Sequence, residues 1–557
     1  MAEPEFNLLE EPWIRVMTKD HKIKELSLTD TLIYSHEYVG LAGELEAQNV
    51  AVLRLCLAAL HTIFHRYNVN GEREELNNKE MNNKEMAYER WEDLWKEGYF
   101  PEAIIRQYFE QHKDRFWLFH PEKPFYQANE AKKGTEYTAA KLNGEVSESS
   151  NKVRMFAVRG GESKSQLTYA EAARWLLFIN GFDDASAKTK VKGLPSLTVG
   201  WIGRLGIVEA IGHNLFETLM LNLVFERMGD KWTDNRPVWE REPKGDERTE
   251  IPLPNNPAEL LTLQSRRILL IRKKRMVVGY YLLGGDFFSK VNAFAETMTA
   301  WSPIPNKGSG ESEFQPKCHD PKKQMWREFG NLFLEAKEET QKPEKRLPGV
   351  VSWISELRTE GCLGKFGKAG KIMFRSVSVQ YKGSQNSAIE DTFSDSLVFH
   401  SDILVRQKWM IWGKRIENEV KKCEELARLI EELSRKLNLS AGFKRSGEEA
   451  KAEFYRQIDL PFRSWLEALD PQEEQERPID YEERKCEEWH KMALTIAKRV
   501  ADGLMDNLGP AAFVGRRVEE KDKSYWCCAP KAYNIFLYWV ARVYQDKNDS
   551  QTEQMSN

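Results

Sequence analysis

IENEVKKCEELARLIEELSRKL, residues 416–437, decides the architecture of the C-terminal part of this chain. Ile416, Val420, Cys423, Leu426, Ile430, Leu433 and Leu437 recur at intervals of three and four, which gathers them on one stripe of a long α-helix. Glu417–Lys421, Glu424–Arg428 and Glu431–Arg435 lie four apart with the glutamate first, the order that favours a helix. Outward from this helix, Glu448–Leu469 reads as a second helix, ended by Asp470-Pro471. A third runs from about Tyr481 to Leu508 with Cys486, Trp489, Ala493, Ile496, Val500 and Leu504 on one face, and Gly509-Pro510 stops it. A fourth spans about Lys531 to Tyr544. Four amphipathic helices in succession predict a helical bundle. Residues 546–557 are polar and are expected to fray.

Upstream of residue 400 the pattern is mixed. Trp13–Val16 reads as a strand, and Leu53–Phe64, apolar throughout, as a buried helix. NNKEM occurs twice in tandem, at Asn77–Met81 and Asn82–Met86, and is expected to be a solvated surface expansion. RFWLFHPEKPFYQ (Arg115–Gln127) carries two prolines that bar a continuous helix, so strand and turn are expected, followed by a polar loop over 128–152. Ala170–Asn180 reads as helix. Asp183–Thr198 is small, polar and basic, with Lys188, Lys190 and Lys192, and a helix follows around Leu215–Val224. RRILLIRKKRMVVGYYLL (Arg266–Leu283) is two β-rich runs about a basic turn, a β-hairpin. Ser376–Tyr381 alternates as a strand and leads into a polar turn at Lys382–Ser387.

The bulk numbers exclude several classes. With 557 residues and 41% hydrophobic residues the chain builds real cores in two or more domains. The formal net charge of -4 rules out a globally basic nucleic-acid binder, so any such contact comes from local patches. Seven scattered cysteines with no CxxC pair write neither a zinc ribbon nor a disulfide framework and suit a reducing compartment. The acidic N-terminus is not a secretory signal, and no run approaches the roughly 18 apolar residues of a membrane span; the expected address is the cytoplasm.

No catalytic constellation assembles. His61 and His65 are four apart, but position 62 is Thr62 where a metalloprotease helix needs glutamate. Cys318-His319-Asp320 is the densest set of metal-ligand types, and it lacks a second Cys or His nearby. GKFGKAGK (364–371) misses the phosphate-loop spacing, since Ala369 and Ile372 stand where glycine and Ser/Thr are required. Arg266, Arg267, Arg272, Lys273, Lys274 and Arg275 cluster on the expected hairpin near Tyr280 and Tyr281. They are read as a nucleic-acid contact, against the alternative of a turn made soluble by charge.

Several segments, in order along the chain, resemble one family. They are FNLLEEPWIRV (Phe6–Val16), WLFHPEKPFYQ (Trp117–Gln127), NKVRMFAVRG around Phe156, VGWIGRLG (Val199–Gly206) and HNLFETLMLNLV (His213–Val224). LQSRRILL (Leu263–Leu270), ETMTAW (Glu296–Trp301) and YKGSQNSA (Tyr381–Ala388) follow. The family is the large subunit of the type I-E CRISPR surveillance complex, Cascade; the resemblance covers nearly the whole chain, and ordered co-occurrence makes it specific. It implies an α+β fold, with a large irregular mixed α/β domain over 1–398 and a C-terminal four-helix bundle over 399–557.

The resemblance implies a non-catalytic subunit that recognises the protospacer-adjacent motif (PAM) in duplex DNA, helps start strand separation and R-loop formation, and helps recruit a helicase-nuclease. Implied partners are other Cascade subunits, CRISPR RNA, double-stranded target DNA and the helicase-nuclease, with no membrane and no cofactor. The family's wedge turn matches Gln385 and Asn386, flanked by Ser384 and Ser387; an amide tip both donates and accepts, which suits the end of an opened duplex. The lysine finger that enters the minor groove falls on Lys290. The glycine loop is reduced here to Gly193, a departure that leaves PAM preference open. Phe156 matches an aromatic that engages the guide RNA and neighbouring subunits. Residues 255–289 hold no cysteine where some relatives carry a cluster, so no zinc is expected there. Two other readings stay open: a metal-dependent nuclease using His319 and Asp320, and a purely structural scaffold.

Overall fold

A computed structural model describes residues 3–76, 83–142, 159–185, 197–226, 232, 235–242, 248–305, 313–334, 346–364, 370–383, 388–470, 480–520 and 523–545. The chain divides into two compact units. The first holds Met1–Met325, Asn331–Lys368 and Ile372–Ser396; the second holds Trp326–Gly330, Ala369–Lys371 and Leu397–Asn557.

In the first unit the strands are β1 (Glu5–Asn7), β2 (Ile14–Thr18), β3 (Ile23–Leu26), β4 (Tyr38–Leu41), β5 (Trp117–Phe119), β6 (Thr135–Thr138), β7 (Ile207–Ile211), β8 (Arg266–Lys273), β9 (Met276–Gly284), β10 (Ala300–Pro303) and β11 (Phe314–Lys317). Two long strands follow, β12 (Lys371–Tyr381) and β13 (Ile389–His400), of which residues 372–381 and 389–396 belong to this unit. They form small separate sheets: β3-β2-β4, β6-β9-β8, β13-β12-β7 and the pairs β1-β5 and β10-β11. The expected loop over 128–152 is corrected over its described part. Asn129–Lys133 makes a 3-10 turn, and Thr135–Thr138 pairs antiparallel with β9 before a short helix at Ala139–Leu142. A four-residue strand on a sheet edge is too short to announce itself by alternation.

The central helix α1 (Glu46–Arg66) is buried along nearly its whole length, as its largely apolar character requires. Among the described residues it is the one helix long and apolar enough to cross a membrane, and 94% of its most apolar window is buried inside the protein. Its one interior cation, Arg54, is 1% exposed and meets Glu296 through two parallel bonds of 2.8 Å each. Helix α2 (Tyr169–Phe182) begins at a capping box in which Thr168 and Glu171 satisfy each other's backbone N–H groups. A third buried helix, α3 (Leu215–Asn222), is capped by Asn214.

The second unit contains α4 (Arg406–Ala441), α5 (Glu448–Glu467), α6 (Tyr481–Asp506) and α7 (Ala529–Val540). Helix α4 packs against each of the other three, α6 touches both α5 and α7, and the stripe Ile416 to Leu437 is buried. Of the three expected i,i+4 pairs on α4, Glu417–Lys421 closes at 3.3 Å. Glu424 turns instead to Arg327 at 2.7 Å and to the Tyr455 hydroxyl, and Glu431 to Lys451 at 2.8 Å. For Glu424 the well-buried Arg327 wins over the exposed Arg428 on the helix, whereas Lys451 and Arg435, the two candidates for Glu431, are similarly half-buried. A hairpin of β14 (Arg516–Glu520) and β15 (Lys523–Cys527) fills the stretch that the helical periodicity does not cover.

Candidate nucleic-acid interface

After α2 the chain departs at Asp183 and returns at Gly200, where the Gly200 N–H donates to the Asp183 carbonyl at 2.9 Å. A side chain at Gly200 would strike the Gly181 carbonyl, so only glycine lets the two passes lie this close. Arg266 ties the loop's base together. It donates to the Asp183 carboxylate at 2.5 Å, to the Asp184 carbonyl at 3.0 Å and to the Thr198 carbonyl at 2.8 Å.

These bonds correct the reading of the basic hairpin. Arg266 and Arg267 are 2% and 1% exposed, and Arg267 pairs with Asp286 at 2.6 Å. Arg272 and Arg275 both reach Glu5. Charge on consecutive β residues marks no face by itself; the buried pair are structural ties, and only the turn end of the cluster stays exposed.

Lys290 stands on the segment between β9 and β10. On one side Phe288 is buried against the Trp201 ring with centroids 4.6 Å apart. On the other, Asn292 exchanges two bonds with Phe314, from its own N–H at 2.9 Å and to its side-chain oxygen at 2.8 Å. Between these anchors Ser289 and Lys290 are exposed. Trp201 is itself fixed: its indole N–H donates to Glu296 at 3.0 Å and its backbone N–H to the Ser265 hydroxyl at 3.0 Å. The buried Arg54–Glu296 pair thus holds two of the family-like segments, VGWIGRLG and ETMTAW, to α1.

The third segment enters through the β12–β13 hairpin. Lys382 N–H donates to the Ala388 carbonyl at 2.8 Å and closes its turn. Tyr381, the last residue of β12, sends its hydroxyl to the Phe182 carbonyl at 2.7 Å, next to the departure point of the 183–200 loop. The hydroxyl passes over Gly203, where a Cβ would collide with it. Burial pushes the Tyr381 phenol well above its usual range, so it acts as a neutral donor.

The 183–200 loop base, the Lys290 segment and the end of β12 therefore meet around residues 201–206. Cys318 marks the junction. Its Sγ lies 4.0 Å from the Gly203 carbonyl, and although the residue is exposed, burial of the sulfur pushes its thiol up while Lys290 and Arg204 act against that shift. His319 contacts the Ile207 carbonyl at 2.8 Å through Nε2. No group of three or more His, Cys, Asp or Glu able to hold a metal occurs among the described residues. His61 is buried on α1 against Phe225, its imidazole pushed down to about 3 by burial and by His65, which keeps it neutral.

Of the residues expected to form the site, Lys290 is exposed beside this junction. Ser384, Gln385, Asn386, Ser387, Gly193 and Phe156 lie outside the described residues. Sequence reasoning missed Tyr381, Trp201, Arg204 and Glu296 as individual residues. The one carboxylate in the otherwise uncharged ETMTAW was the available signal for Glu296.

The chain belongs to the CRISPR-associated protein Cse1 family, whose model matches residues 7–500. Thermus thermophilus CasA/Cse1 is 32% identical over 240 residues, a stretch that is 43% of this chain and 42% of that protein's length. The crystal structure of Thermobifida fusca Cse1 superposes with a TM-score of 0.80 at 27% identity, covering 97% of this chain and 98% of that one. A chain of a CRISPR RNA-guided surveillance complex shares the fold, with a TM-score of 0.68 at 16% identity over 97% of this chain and all of that one.

Proposed function

We propose that this chain is a non-catalytic subunit of a cytoplasmic RNA-guided antiviral complex that recognises a PAM in duplex DNA and starts strand separation. The observation that carries the reading is the convergence of three segments at residues 201–206: the stapled base of the 183–200 loop, the anchored loop presenting Lys290, and the closed hairpin leading to Gln385 and Asn386. Each has the job its chemistry suits. A lysine on a short fixed loop reaches the minor groove, whose acceptor pattern is degenerate and gives a permissive code. The polar tip 384–387, with Gln385 and Asn386 at its centre, takes the place of lost base-pair hydrogen bonds. The loop carrying Gly193 lies against the PAM, and Phe156 engages the guide RNA.

Only nucleation is required of this subunit, because the RNA–DNA hybrid is about as stable as the duplex it replaces. Residues 1–398 serve as the recognition domain and 399–557 as the bundle that meets other subunits. The T. fusca match and the surveillance-complex fold support this placement in an assembly, with recruitment of the helicase-nuclease as a later step. The test is the double variant Gln385→Ala/Asn386→Ala in the assembled complex. Assembly is expected to be intact and R-loop formation impaired; unimpaired R-loop formation would refute the wedge.

A further inference from the structure

We propose that Arg204 is a phosphate contact for nucleic acid held at this interface, a backbone anchor alongside Lys290 that carries no sequence information; the inference rests on the duplex-opening reading above. Arg204 closes the 3-10 turn Ile202–Arg204, at the junction where the three segments meet. Its guanidinium is half-buried and makes no ion pair among the described residues. The carboxylates nearby are committed, Asp183 to Arg266 at 2.5 Å and Asp286 to Arg267 at 2.6 Å.

Arg204, Arg248 and Arg266 together line a cavity of about 20 Å³ whose apolar walls include Trp201 and Phe288. Burial, then Arg266 and Arg248, push the Arg204 guanidinium down to about 10, which leaves it charged at neutral pH. A half-buried cation among like charges is costly to hold in the empty protein, and an anion that enters from solvent removes the cost. Space of that size admits about one water-sized group, such as one oxygen of a phosphodiester, and a guanidinium at its edge receives a phosphodiester in bidentate fashion. Lys290 and Arg204 both act on Cys318, so the two cations share one locality, one exposed and one recessed. That pairing fits a lysine in the groove and an arginine on the adjoining backbone.

The test uses complexes assembled with full-length chain, titrated with PAM-bearing and PAM-less duplexes across a salt series. Arg204→Gln is expected to weaken both by on the order of tenfold. It should lower the slope of log affinity against log salt by about 0.9 and leave the PAM ratio unchanged. Arg204→Lys should keep the parent slope, which also supplies the test if the glutamine variant fails to assemble. Parental affinity and slope in Arg204→Gln, a changed PAM ratio, or a lost slope in Arg204→Lys would each overturn the phosphate assignment while the PAM reading stands. Absence of any PAM ratio in the parent complex would instead be a failure of that reading.

Discussion

Tyr381→Phe removes one oxygen from the point where the hairpin meets the loop base. The lost bond, Tyr381 hydroxyl to the Phe182 carbonyl at 2.7 Å, is neutral and largely sheltered. Its net worth is about 1 kcal/mol, and leaving the carbonyl unsatisfied brings the cost to about 1–2 kcal/mol. For a unit of several hundred residues that shifts the melting temperature by only about 1–3 °C. The same energy applied to hairpin docking changes the docked-to-undocked ratio by a factor of roughly 5–30. Opening of a target carrying a fluorescent base analogue beside the PAM is the assay. We expect slower opening by about that factor, with affinity for the closed PAM duplex nearly unchanged. Gly203→Ala should act on the same contact, since its Cβ would occupy the hydroxyl's position, so Gly203→Ala/Tyr381→Phe should fall well short of additivity. Opening at the parent rate in Tyr381→Phe, or additive effects in the pair, would refute the coupling.

Glu296→Gln breaks a buried ion pair and should cost about 3–5 kcal/mol, read as a fall in denaturation midpoint with Arg54 left uncompensated; a change near zero would contradict the anchoring role. Lys290→Ala should weaken binding of PAM-bearing duplex more than PAM-less duplex in an equilibrium titration, because an exposed side chain with fixed flanks is lost without a change in fold; equal weakening would remove it from the PAM contact. Glu209, on β7 opposite Arg375 of β12, is pushed up to about 7 because burial outweighs an Arg375 that lies closer to Glu46, 2.8 Å against 3.5 Å. A raised carboxyl stabilises the fold fully below its ordinary value of 4.5, and the contribution is lost as pH rises towards 7. The loss is about 3 kcal/mol. In melting curves across that window, Glu209→Gln should gain relative to the parent as pH rises; parallel profiles would contradict the shift.

How much was legible follows from which interactions are local. The α4 stripe is a repeat within one helix, so sequence suffices for it. The β8–β9 hairpin was legible as an element, but its charges were not: Arg266 finds Asp183 at a sequence distance of 83 residues, and β periodicity cannot say which face a third layer covers. Two of the three expected i,i+4 pairs gave way for the same reason, since Glu424 and Glu431 had partners on other segments, while Glu417–Lys421 closed. Glu296, Trp201 and Tyr381 matter only through contacts that close when distant segments meet. Lys290 could be singled out because family resemblance supplied its role; the Phe288 and Asn292 anchors that leave it exposed belong to tertiary structure alone.

The central claim is most directly tested by titrating purified complex, with and without this chain, against duplexes that differ only in the PAM. PAM-dependent binding and opening are expected when the chain is present, and loss of the PAM preference when it is absent. Equal discrimination by the two preparations would contradict it and leave the chain a scaffold.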